Sequence, residues 1–481
     1  MGRTINFLLN CTLVLIGTLP AKAQSYHAIN GSPYAGATAM YTNPASTVNS
    51  AYKWDVTLFS IQATISNNAF VINNSSLLNP NPSGFFINNG LQQRHFNTNA
   101  DANLLNARFA IDDKSAVALG FRLRTYNQGQ SLPFNYNDTI TTLQSFLHSN
   151  NAVNYLSGSL TSAAWAEVNF NYSRVIFQTE SSSLSAGITL SYLRGLSGAY
   201  ASISRAHYIE KQKNGASYYI FDQGGVAAMY SDTYLITGNS NSQSVSSFLK
   251  KALPSLGLDI GAEYLIKPEN DKNDNPAAGA DYGWKIGVSI MDIGRNKFNP
   301  IDGSFTANGP NNNLTDTGVI NKLGAVQNIR DLRDTSRALF NTLNALQNKF
   351  TIPRPARLII SLDRNLGSNF FVNAECSFNF YSAKAERGIS TTEINLFTVT
   401  PRWETSAWGF YLPVQYNNLG QLWAGAAIKL GPLLVGVHDL DFFKWLKTGT
   451  QTYNGGGYIL LSVHPFIHKE RHVDVDDCPK P

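Results

Sequence analysis

Apolar and polar residues alternate over unusually long stretches of this chain. In residues 116–126 (AVALGFRLRTY), the apolar side chains fall on one face of an extended strand, and Arg122 and Arg124 fall on the other. The same period of two recurs in residues 164–174, 184–194, 256–266, 284–292, 370–380 and 408–416. Strands of soluble domains average five or six residues, whereas these reach about ten, the length that crosses a bilayer at a tilt. The pattern therefore predicts strands that traverse a membrane.

Any one of these segments also fits a soluble β-sandwich, in which the apolar face would be the core. Their repetition favours a transmembrane antiparallel β-barrel, because the polar faces combine Gly, Ser and Asn with isolated charges, as a crowded lumen requires. Weaker strand patterns occur at 54–65, 102–112, 198–209, 216–236, 356–364, 393–403, 421–430 and 456–466. The charged side chains predicted to face the lumen are Arg122, Arg124, Glu167, Glu263, Lys285 and Glu375. The sequence thus predicts an all-β chain of 14 to 16 strands, of which we take 14, with a secreted β-sandwich or repeat protein as the alternative.

The composition supports the membrane interpretation. Charged residues make up 14% of the chain, against about 25% in typical soluble domains. Aromatic residues make up 12%, and several tryptophans (Trp284, Trp403, Trp408 and Trp423) stand near predicted strand ends, as in the aromatic girdles of barrels. After residue 23 no stretch approaches 18 consecutive apolar residues, so the sequence offers no transmembrane helix. A closed barrel is the other structure that leaves no unpaired backbone in lipid.

The first 23 residues have the three parts of a secretory signal peptide. Arg3 supplies the positive charge, residues 8–20 are apolar, and residues 21–23 (AKA) form an A-x-A cleavage site. We therefore expect export, with a mature chain that begins at Gln24. For an exported barrel the expected location is the outer membrane of a Gram-negative cell, and outer-membrane lipid is its first expected partner.

Charge and cysteine content exclude two further classes. Without Arg3 and Lys22 the formal net charge of +5 becomes +3, from 35 basic and 32 acidic residues, so nucleic acid is not an expected partner. Cys376 and Cys478 are the cysteines that follow the signal, too few for a disulfide framework, and their separation matches no metal-ligand motif. The sequence leaves open whether they pair.

The connections between predicted strands are unequal, as in barrels with short turns on one side and long extracellular loops on the other. The long ones cover residues 127–160, 237–254 and 293–352. In the first, Asp138 is predicted to cap a short helix. In the third, apolar residues recur at helical spacing over 328–348. That helix would cover the barrel mouth, plug the lumen or dock a partner, and packing on neighbouring loops is the simplest interpretation.

The segment after the signal carries a family resemblance. Ser32–Ser46 (SPYAGATAMYTNPAS) resembles the Gly/Ala-rich stretch, ending in Asn-Pro-Ala, that introduces FadL-type outer-membrane proteins. Residues 287–294 (GVSIMDIG) look like the G-x-S-x-x-D-I-G strand end of their type IX secretion relatives. Residues 412–416 and 424–440 are similar to the C-terminal strands of a broad outer-membrane group in that superfamily.

The resemblance implies a barrel of 14 strands with an N-terminal segment lodged in the lumen as a hatch. The implied divisions are a signal peptide at 1–23, a hatch at 24–50, the barrel at 51–467 and a periplasmic tail at 468–481. Residues 24–50 are small and polar and lack strand alternation, as a luminal segment would. The hatch turn is expected at Asn43, Pro44 and Ala45, because a proline biases the preceding backbone away from helix and an Asn side chain bonds to nearby backbone.

The resemblance also sets the functional expectation. FadL-type members move hydrophobic compounds inward, and other members serve type IX secretion as docking shuttles for cargo. We therefore expect a protein that binds or passes hydrophobic small molecules across the outer membrane, with a docking or structural component for secretion or surface-protein assembly as the alternative. A hydrophobic ligand and secretion or surface proteins are the corresponding partners. The residues themselves identify no apolar binding pocket, so transport is carried by the resemblance alone.

Catalytic and metal-binding patterns are weak. Residues 195–199 (GLSGA) lack the last glycine of a G-x-S-x-G nucleophile elbow. The histidines of 464–472 recur every four residues, but four residues of a strand span about 13 Å, too far for one ion. Residues 271–282 imitate a calcium loop, with Pro276 where glycine is required. We therefore expect no enzyme, no cofactor and no metal site.

Overall fold

The structure, a computed structural model, describes residues 28–73, 84–233, 251–268, 282–381, 389–443, 450–452 and 454–465. Fourteen antiparallel strands form a closed barrel, so the predicted fold is confirmed. The barrel strands are β1 (Trp54–Asn67), β2 (His95–Asp112), β3 (Ser115–Ser131), β4 (Leu156–Gln178), β5 (Ser182–Lys213), β6 (Pro254–Ile266), β7 (Trp284–Phe298), β8 (Arg357–Gly367), β9 (Phe370–Asn379), β10 (Leu396–Glu404), β11 (Trp408–Tyr411 and Val414–Asn417), β12 (Leu422–Ala424 and Ala426–Leu430), β13 (Leu433–Val437) and β14 (Gly455–Val463).

The barrel closes between its first and last strands. β1 pairs with β2 on one side and with β14 on the other, where Val56 lies opposite Val463 and Ile65 opposite Gly455. β11 is interrupted at Pro413, which has no N–H for the ladder. The Gly425 N–H donates to the Pro413 carbonyl at 2.7 Å and keeps β11 and β12 joined across this break. A sheet that spans a bilayer must close in this way, because lipid offers no hydrogen-bond partners to the backbone of an edge strand.

The two ends of the barrel differ in their connections. Two residues join β2 to β3, and two join β8 to β9, whereas residues 299–356 separate β7 from β8. β1 begins and β14 ends at the short-turn end. We name this the inner end, because short turns of outer-membrane barrels face the periplasm, and the opposite end the outer end.

The barrel wall separates apolar from polar side chains. Leu119 on β3 is 55% exposed, whereas Arg122 and Arg124 on the same strand are buried. Large apolar side chains are exposed all around the outside, among them Phe170, Leu190, Ile260, Val288, Phe378, Phe410 and Val435. Trp423 departs from the expected girdle: it is 1% exposed and lies opposite the inward Gln415 in the β11–β12 register. The outward apolar surface, named here the apolar band, matches the surface that lipid covers in a transmembrane barrel.

One strand extends far beyond the outer end. The separate strands predicted over 184–194 and 198–209 are one 32-residue strand, β5, because the chain continues extended through Gly195 and Gly198. The outer half of β5 pairs with Ala216–Tyr230, and that strand pairs in turn with Phe305–Pro310. Phe340–Ala345 adds a fourth strand to this outer sheet.

Three α-helices lie wholly within the described parts of the outer connections: α1 (Leu143–Ser149), α2 (Asp316–Leu323) and α3 (Ile329–Leu339). Asp138 does not cap α1. Its N-cap is Thr142, whose side chain forms a capping box with Ser145. The helix predicted over 328–348 is too long, because residues 340–345 pair as a strand and that pairing overrides their helical spacing.

The remaining elements are short. They are the strands Phe70–Asn73, Gly84–Ile87, Gly90–Gln92, Phe134–Tyr136, Leu314–Thr315, Phe350–Pro353 and Thr450–Gln451, and the 3-10 helices Gly36–Tyr41, Pro44–Thr47 and Leu440–Phe443. In the part of the chain that the structure describes, we find no helix with the length and apolarity of a membrane span. The predicted signal peptide, the tail at 468–481, residues 237–250 and residues 271–281 of the calcium-like segment lie outside the described residues.

Candidate functional site

The lumen is the candidate functional site, and its inner half is filled by the chain itself. Residues 28–53, named here the luminal segment, contain two 3-10 helices that begin at Gly36 and Pro44. Between them, Asn43 is extended, and its side chain accepts the Ala45 N–H at 3.0 Å. Its amide also donates to the Ala262 carbonyl of β6 at 3.0 Å. The structure therefore places the Asn43-Pro44-Ala45 turn against the barrel wall.

Side chains from several strands hold the luminal segment. The Asn30 amide donates to both carboxylate oxygens of Glu375 on β9, at 3.1 and 3.2 Å. The Ser32 hydroxyl donates to Glu404 on β10 at 2.7 Å. On the other side of the barrel, the Thr47 hydroxyl donates to Asn171 on β4 at 2.7 Å. Glu263 on β6 accepts hydrogen bonds from Asn49, at 2.7 Å, and from Ser46. Bonds to opposite walls fix the segment across the lumen.

Glycines allow the closest approaches between segment and wall. A Cβ atom at Gly187 of β5 would lie 2.3 Å from the Pro44 carbonyl group, so any larger residue collides with backbone. In the segment itself, Gly31 has φ +74°, and a Cβ there would lie 2.4 Å from the Asn373 amide. Its carbonyl accepts from the Lys285 ammonium at 2.5 Å. Glycines at these positions therefore determine how closely the luminal segment can approach the barrel wall.

Above the luminal segment lies a buried network of ion pairs, named here the charge layer. Its members are Asp101, Arg122, Arg124, Glu167, Asp292, Arg354, Arg357 and Glu393. Asp292 is the centre of the network: Arg354 lies 2.6 Å from one of its carboxylate oxygens and Arg357 3.2 Å from the other, and Arg124 also binds it. Its four guanidinium groups are all paired with its four carboxylates.

The position of Asp292 comes from an irregularity in β7. The residue has φ +61°, and the β6–β7 register shifts beside it. Its N–H donates to the Asp259 carboxylate at 2.6 Å. A bulge inserts one extra residue and re-aims the neighbouring side chains, so the Asp292 carboxylate points into the lumen. Sequence alternation alone places Ile290 and Asp292 on the same, outward face, which is why the pattern does not predict Asp292 as a luminal charge.

A second group of charges lies toward the inner end. Arg402 binds both carboxylate oxygens of Asp363, at 2.6 and 2.9 Å, and donates from Nε to Glu404 at 2.7 Å. The Tyr282 hydroxyl donates to Asp363 at 2.5 Å, and the Tyr411 hydroxyl to Glu404 at 3.1 Å. A bidentate pair is the strong form of a charge-assisted hydrogen bond. This group supports the wall where Ser32 docks.

The outer end of the lumen is apolar on the side formed by β3, β4, β5 and β7. Its buried side chains pack in one cluster, named here the apolar collar: Tyr126, Ala163, Trp165, Leu193, Phe298, Phe350 and Ile352. The rings of Tyr126 and Trp165 stack with centroids 5.2 Å apart, and those of Phe298 and Phe350 lie 5.4 Å apart. Trp165 donates to Glu167 at 2.5 Å and so joins the collar to the charge layer. From the outer end inward, the lumen contains the apolar collar, the charge layer and the luminal segment.

The six predicted luminal charges are all buried, but the structure divides them. Arg122, Arg124 and Glu167 belong to the charge layer, whereas Glu263 and Glu375 bind the luminal segment, and Lys285 binds the Gly31 carbonyl. Residues that sequence reasoning missed are Asp101, Asp292, Arg354, Arg357, Asp363, Glu393, Arg402 and Glu404. Asp363, Arg402 and Glu404 lie in or beside weaker strand patterns, and Arg354 lies in a connection, where no periodicity marks an inward side chain.

Among the described residues, we find no arrangement of side chains typical of a catalytic site. Residues 195–199 lie within β5 rather than on a strand-to-helix turn. His207 pairs with Asp222 at 2.6 Å on the outer sheet. Across the described ranges, no group of three or more His, Cys, Asp or Glu side chains is arranged to hold a metal ion.

A closed barrel of 14 strands, with an apolar outside and a polar lumen filled by its own N-terminal segment, defines a transmembrane β-barrel protein with a luminal segment. The chain belongs to a family whose description is "Family of unknown function (DUF5723)", and the family model matches residues 44–438. No curated protein sequence matches the chain.

Solved structures of FadL-type channels are among those to which the chain aligns. A Pseudomonas aeruginosa FadL homologue has 10% identity and a TM-score of 0.43, covering 92% of this chain and 98% of that one. A deltaS2 mutant of the TodX monoaromatic hydrocarbon channel has 10% identity and a TM-score of 0.44, covering 90% and 95%. The Ralstonia pickettii toluene transporter TbuX has 10% identity and a TM-score of 0.37, covering 91% and 98%. At these scores the likeness assigns no function, and the link to type IX secretion stays a prediction.

Proposed function

We propose that this chain is an outer-membrane protein that captures hydrophobic small molecules at the outer end of its lumen. The observation that carries the proposal is the apolar collar, a buried cluster with four aromatic side chains that lies on the outer side of the charge layer. The apolar band and the predicted signal peptide support the location. In this proposal, residues 24–50 are the hatch of the barrel at 51–467.

The collar has the chemistry of a hydrophobic binding site. Ligand sites are mostly lined by apolar and aromatic side chains with a few polar groups, and the collar combines Trp165, Phe298 and Phe350 with the Tyr126 hydroxyl. Burial of apolar ligand surface contributes about 25 cal/mol per Å². Because the collar faces the long outer connections, a ligand would meet it before the charge layer.

Onward passage is a separate step from capture. The charge layer and the luminal segment fill the lumen below the collar with buried, hydrogen-bonded groups. An apolar ligand offers no partners to replace those hydrogen bonds, and an ion left unpaired in a buried site is costly. Passage therefore requires a rearrangement that keeps the ions paired.

Binding of a hydrophobic probe tests the proposal. The full chain in detergent is titrated with toluene while tryptophan fluorescence is recorded, and Phe350→Gln is compared with Phe305→Gln. Both phenylalanines are buried, but Phe305 lies in the outer sheet and not in the collar. We expect Phe350→Gln to weaken binding about 10- to 100-fold, from the loss of about 1.5–3 kcal/mol of apolar burial, and Phe305→Gln to leave it unchanged. Equal affinity in both variants contradicts capture at the collar.

The filled lumen favours a second candidate function, a docking or structural component for secretion or surface-protein assembly. A barrel held closed by its own chain, with a four-stranded outer sheet beyond the membrane, needs no open path. Co-purification and uptake assays on a deletion strain separate the two candidates. Unchanged uptake of hydrophobic compounds, with protein partners recovered in stoichiometric amounts, supports docking and contradicts transport.

A further inference from the structure

Cations that are half-buried or exposed lie where the apolar band meets the outer end of neighbouring strands. On β5, the outward column Ile188, Leu190 and Tyr192 is followed by Arg194, whose guanidinium lies 5.6 Å from the Tyr192 ring centroid. On β7, Ile293 is followed on the same outward face by Arg295 and Lys297, both exposed. The cations therefore continue the lipid-facing columns rather than the outer loops.

These cations are close to one another in the fold. β7 approaches β5 so closely here that a Cβ at Gly195 would lie 2.7 Å from the Lys297 carbonyl oxygen. The Arg194 guanidinium donates to the Ala252 carbonyl at 2.7 Å, and Lys251 precedes that residue with its side chain 47% exposed. The outer-rim cations, as we name Arg194, Lys251, Arg295 and Lys297, thus lie at the outer ends of three neighbouring strands, β5, β6 and β7, and we treat them as one patch.

The patch has an excess of positive charge. Within the described part of the chain, Arg194, Arg295 and Lys297 have no carboxylate within ion-pair distance, and Lys251 is 3.8 Å from Asp232. The arginines of the charge layer, by contrast, are all paired. Two other lipid-facing columns end in neutral residues, Phe380 after β9 and Tyr416 on β11.

We propose that the outer-rim cations bind the phosphorylated headgroup of a lipid in the outer leaflet. The inference rests on the outer-membrane location in the proposed function. Two features of the patch select this occupant: it is continuous with the surface that lipid acyl chains cover, and its charge complements phosphate. Guanidinium groups bind phosphate oxygens through charge-assisted hydrogen bonds, and ammonium groups act as point charges beside them. A headgroup there completes a site whose apolar part is Tyr192, Leu256 and Ile293.

The test uses the full chain in phosphatidylcholine nanodiscs. Lipid A, which carries phosphate monoesters, is added and compared with dephosphorylated lipid A, and retained lipid is measured by native mass spectrometry. The variant Arg194→Gln/Lys251→Gln/Arg295→Gln/Lys297→Gln removes the patch. The control Lys53→Gln/Arg174→Gln/Lys211→Gln/Lys213→Gln removes the same charge from exposed positions at the inner end and at the tip of the outer sheet.

We expect the patch variant to bind phosphorylated lipid A on the order of 100-fold more weakly than the unchanged chain, because each cation near an anionic lipid surface contributes a several-fold factor. The control variant and the dephosphorylated lipid should show no such difference. Equal loss in both variants, or equal retention of both lipids, overturns the proposal. If the four-residue patch variant does not assemble, the double variant Arg295→Gln/Lys297→Gln takes its place. It removes two of the four positive charges, so a smaller loss of affinity, on the order of tenfold, is expected.

The location is measured separately. Fractionation of cells tests whether the chain is in the outer membrane, whereas the nanodisc comparison reads the patch alone. If the chain is in the outer membrane but retains phosphorylated and dephosphorylated lipid A equally, this inference is wrong and the proposed function is unaffected. A chain outside the outer membrane overturns both.

Discussion

Arg354, from the connection that precedes β8, lies 2.6 Å from the Asp292 carboxylate at the bulge of β7. The same guanidinium donates to Glu167 on β4 at 3.0 Å. One side chain thus joins an outer connection to two strands, β4 and β7, that are separated by two others in the barrel wall. The charge layer therefore links the wall strands to an outer connection. It also lies directly on the inner side of the apolar collar.

Asp292→Asn tests how much that contact contributes to the stability of the barrel. The substitution leaves Arg354, Arg357 and Arg124 with less negative charge than they need, and removal of one partner from a buried ion pair costs about 3–5 kcal/mol. We expect a lower temperature for the loss of heat-modifiable gel migration. The control is Asp334→Asn, because Asp334 is exposed on α3 and exposed pairs contribute about 0–1 kcal/mol. Similar midpoints for the two variants would show that the layer adds little stability.

The assignment of wall faces is tested on β3. Leu119 is outward and 55% exposed, so Leu119→Arg should cost about 2–4 kcal/mol near the middle of the bilayer and reduce folded barrel in the membrane fraction. Ile209→Arg is the control, since Ile209 is 42% exposed on β5 beyond the outer end of the barrel. If Leu119→Arg assembles normally while Arg122→Leu abolishes assembly, the faces are inverted.

Gly187→Ala should loosen the luminal segment. The new methyl group would lie 2.3 Å from the Pro44 carbonyl group, and backbone on both sides must shift. We expect residues 28–53 to become more accessible to protease in the folded protein, with more leakage of small polar solutes in liposome swelling. The control is Gly318→Ala, on the outer helix α2, where the atom nearest to the new methyl group is 3.3 Å away. Unchanged proteolysis of Gly187→Ala would mean that the segment has room to move.

The start of α3 depends on Asn328, whose side chain accepts the N–H groups of Arg330 and Asp331 at 2.9 and 3.1 Å. Loss of such a cap costs about 1 kcal/mol. Asn328→Ala should therefore speed amide hydrogen exchange within Ile329–Leu339 about fivefold and leave α1 unchanged. Thr142→Ala, at the cap of α1, should show the reverse pattern. Faster exchange in both helices in either variant would indicate a shared unfolding unit.

The sequence by itself determined the barrel. Alternation over about ten residues records which side of each strand meets lipid, because a strand side chain has only two directions. For the same reason, alternation alone assigns Arg122, Arg124, Glu167 and Glu263 to the lumen. The turn at Asn43-Pro44 is also readable from the sequence, since its geometry depends on neighbouring residues alone.

Only the tertiary structure decided what the lumen contains. Asp292 reaches it through a bulge, Arg354 through a connection, and Phe350 through a short strand outside the barrel wall. Period-two patterning carries no information on such positions, because their side chains are placed by register shifts and by contacts between residues far apart in sequence. The end of α3 at Leu339 has the same cause: pairing of Phe340–Ala345 with Phe305–Pro310 overrides a local helical pattern. The wall follows from local periodicity, whereas the collar, the charge layer and the seat of the luminal segment follow from long-range packing.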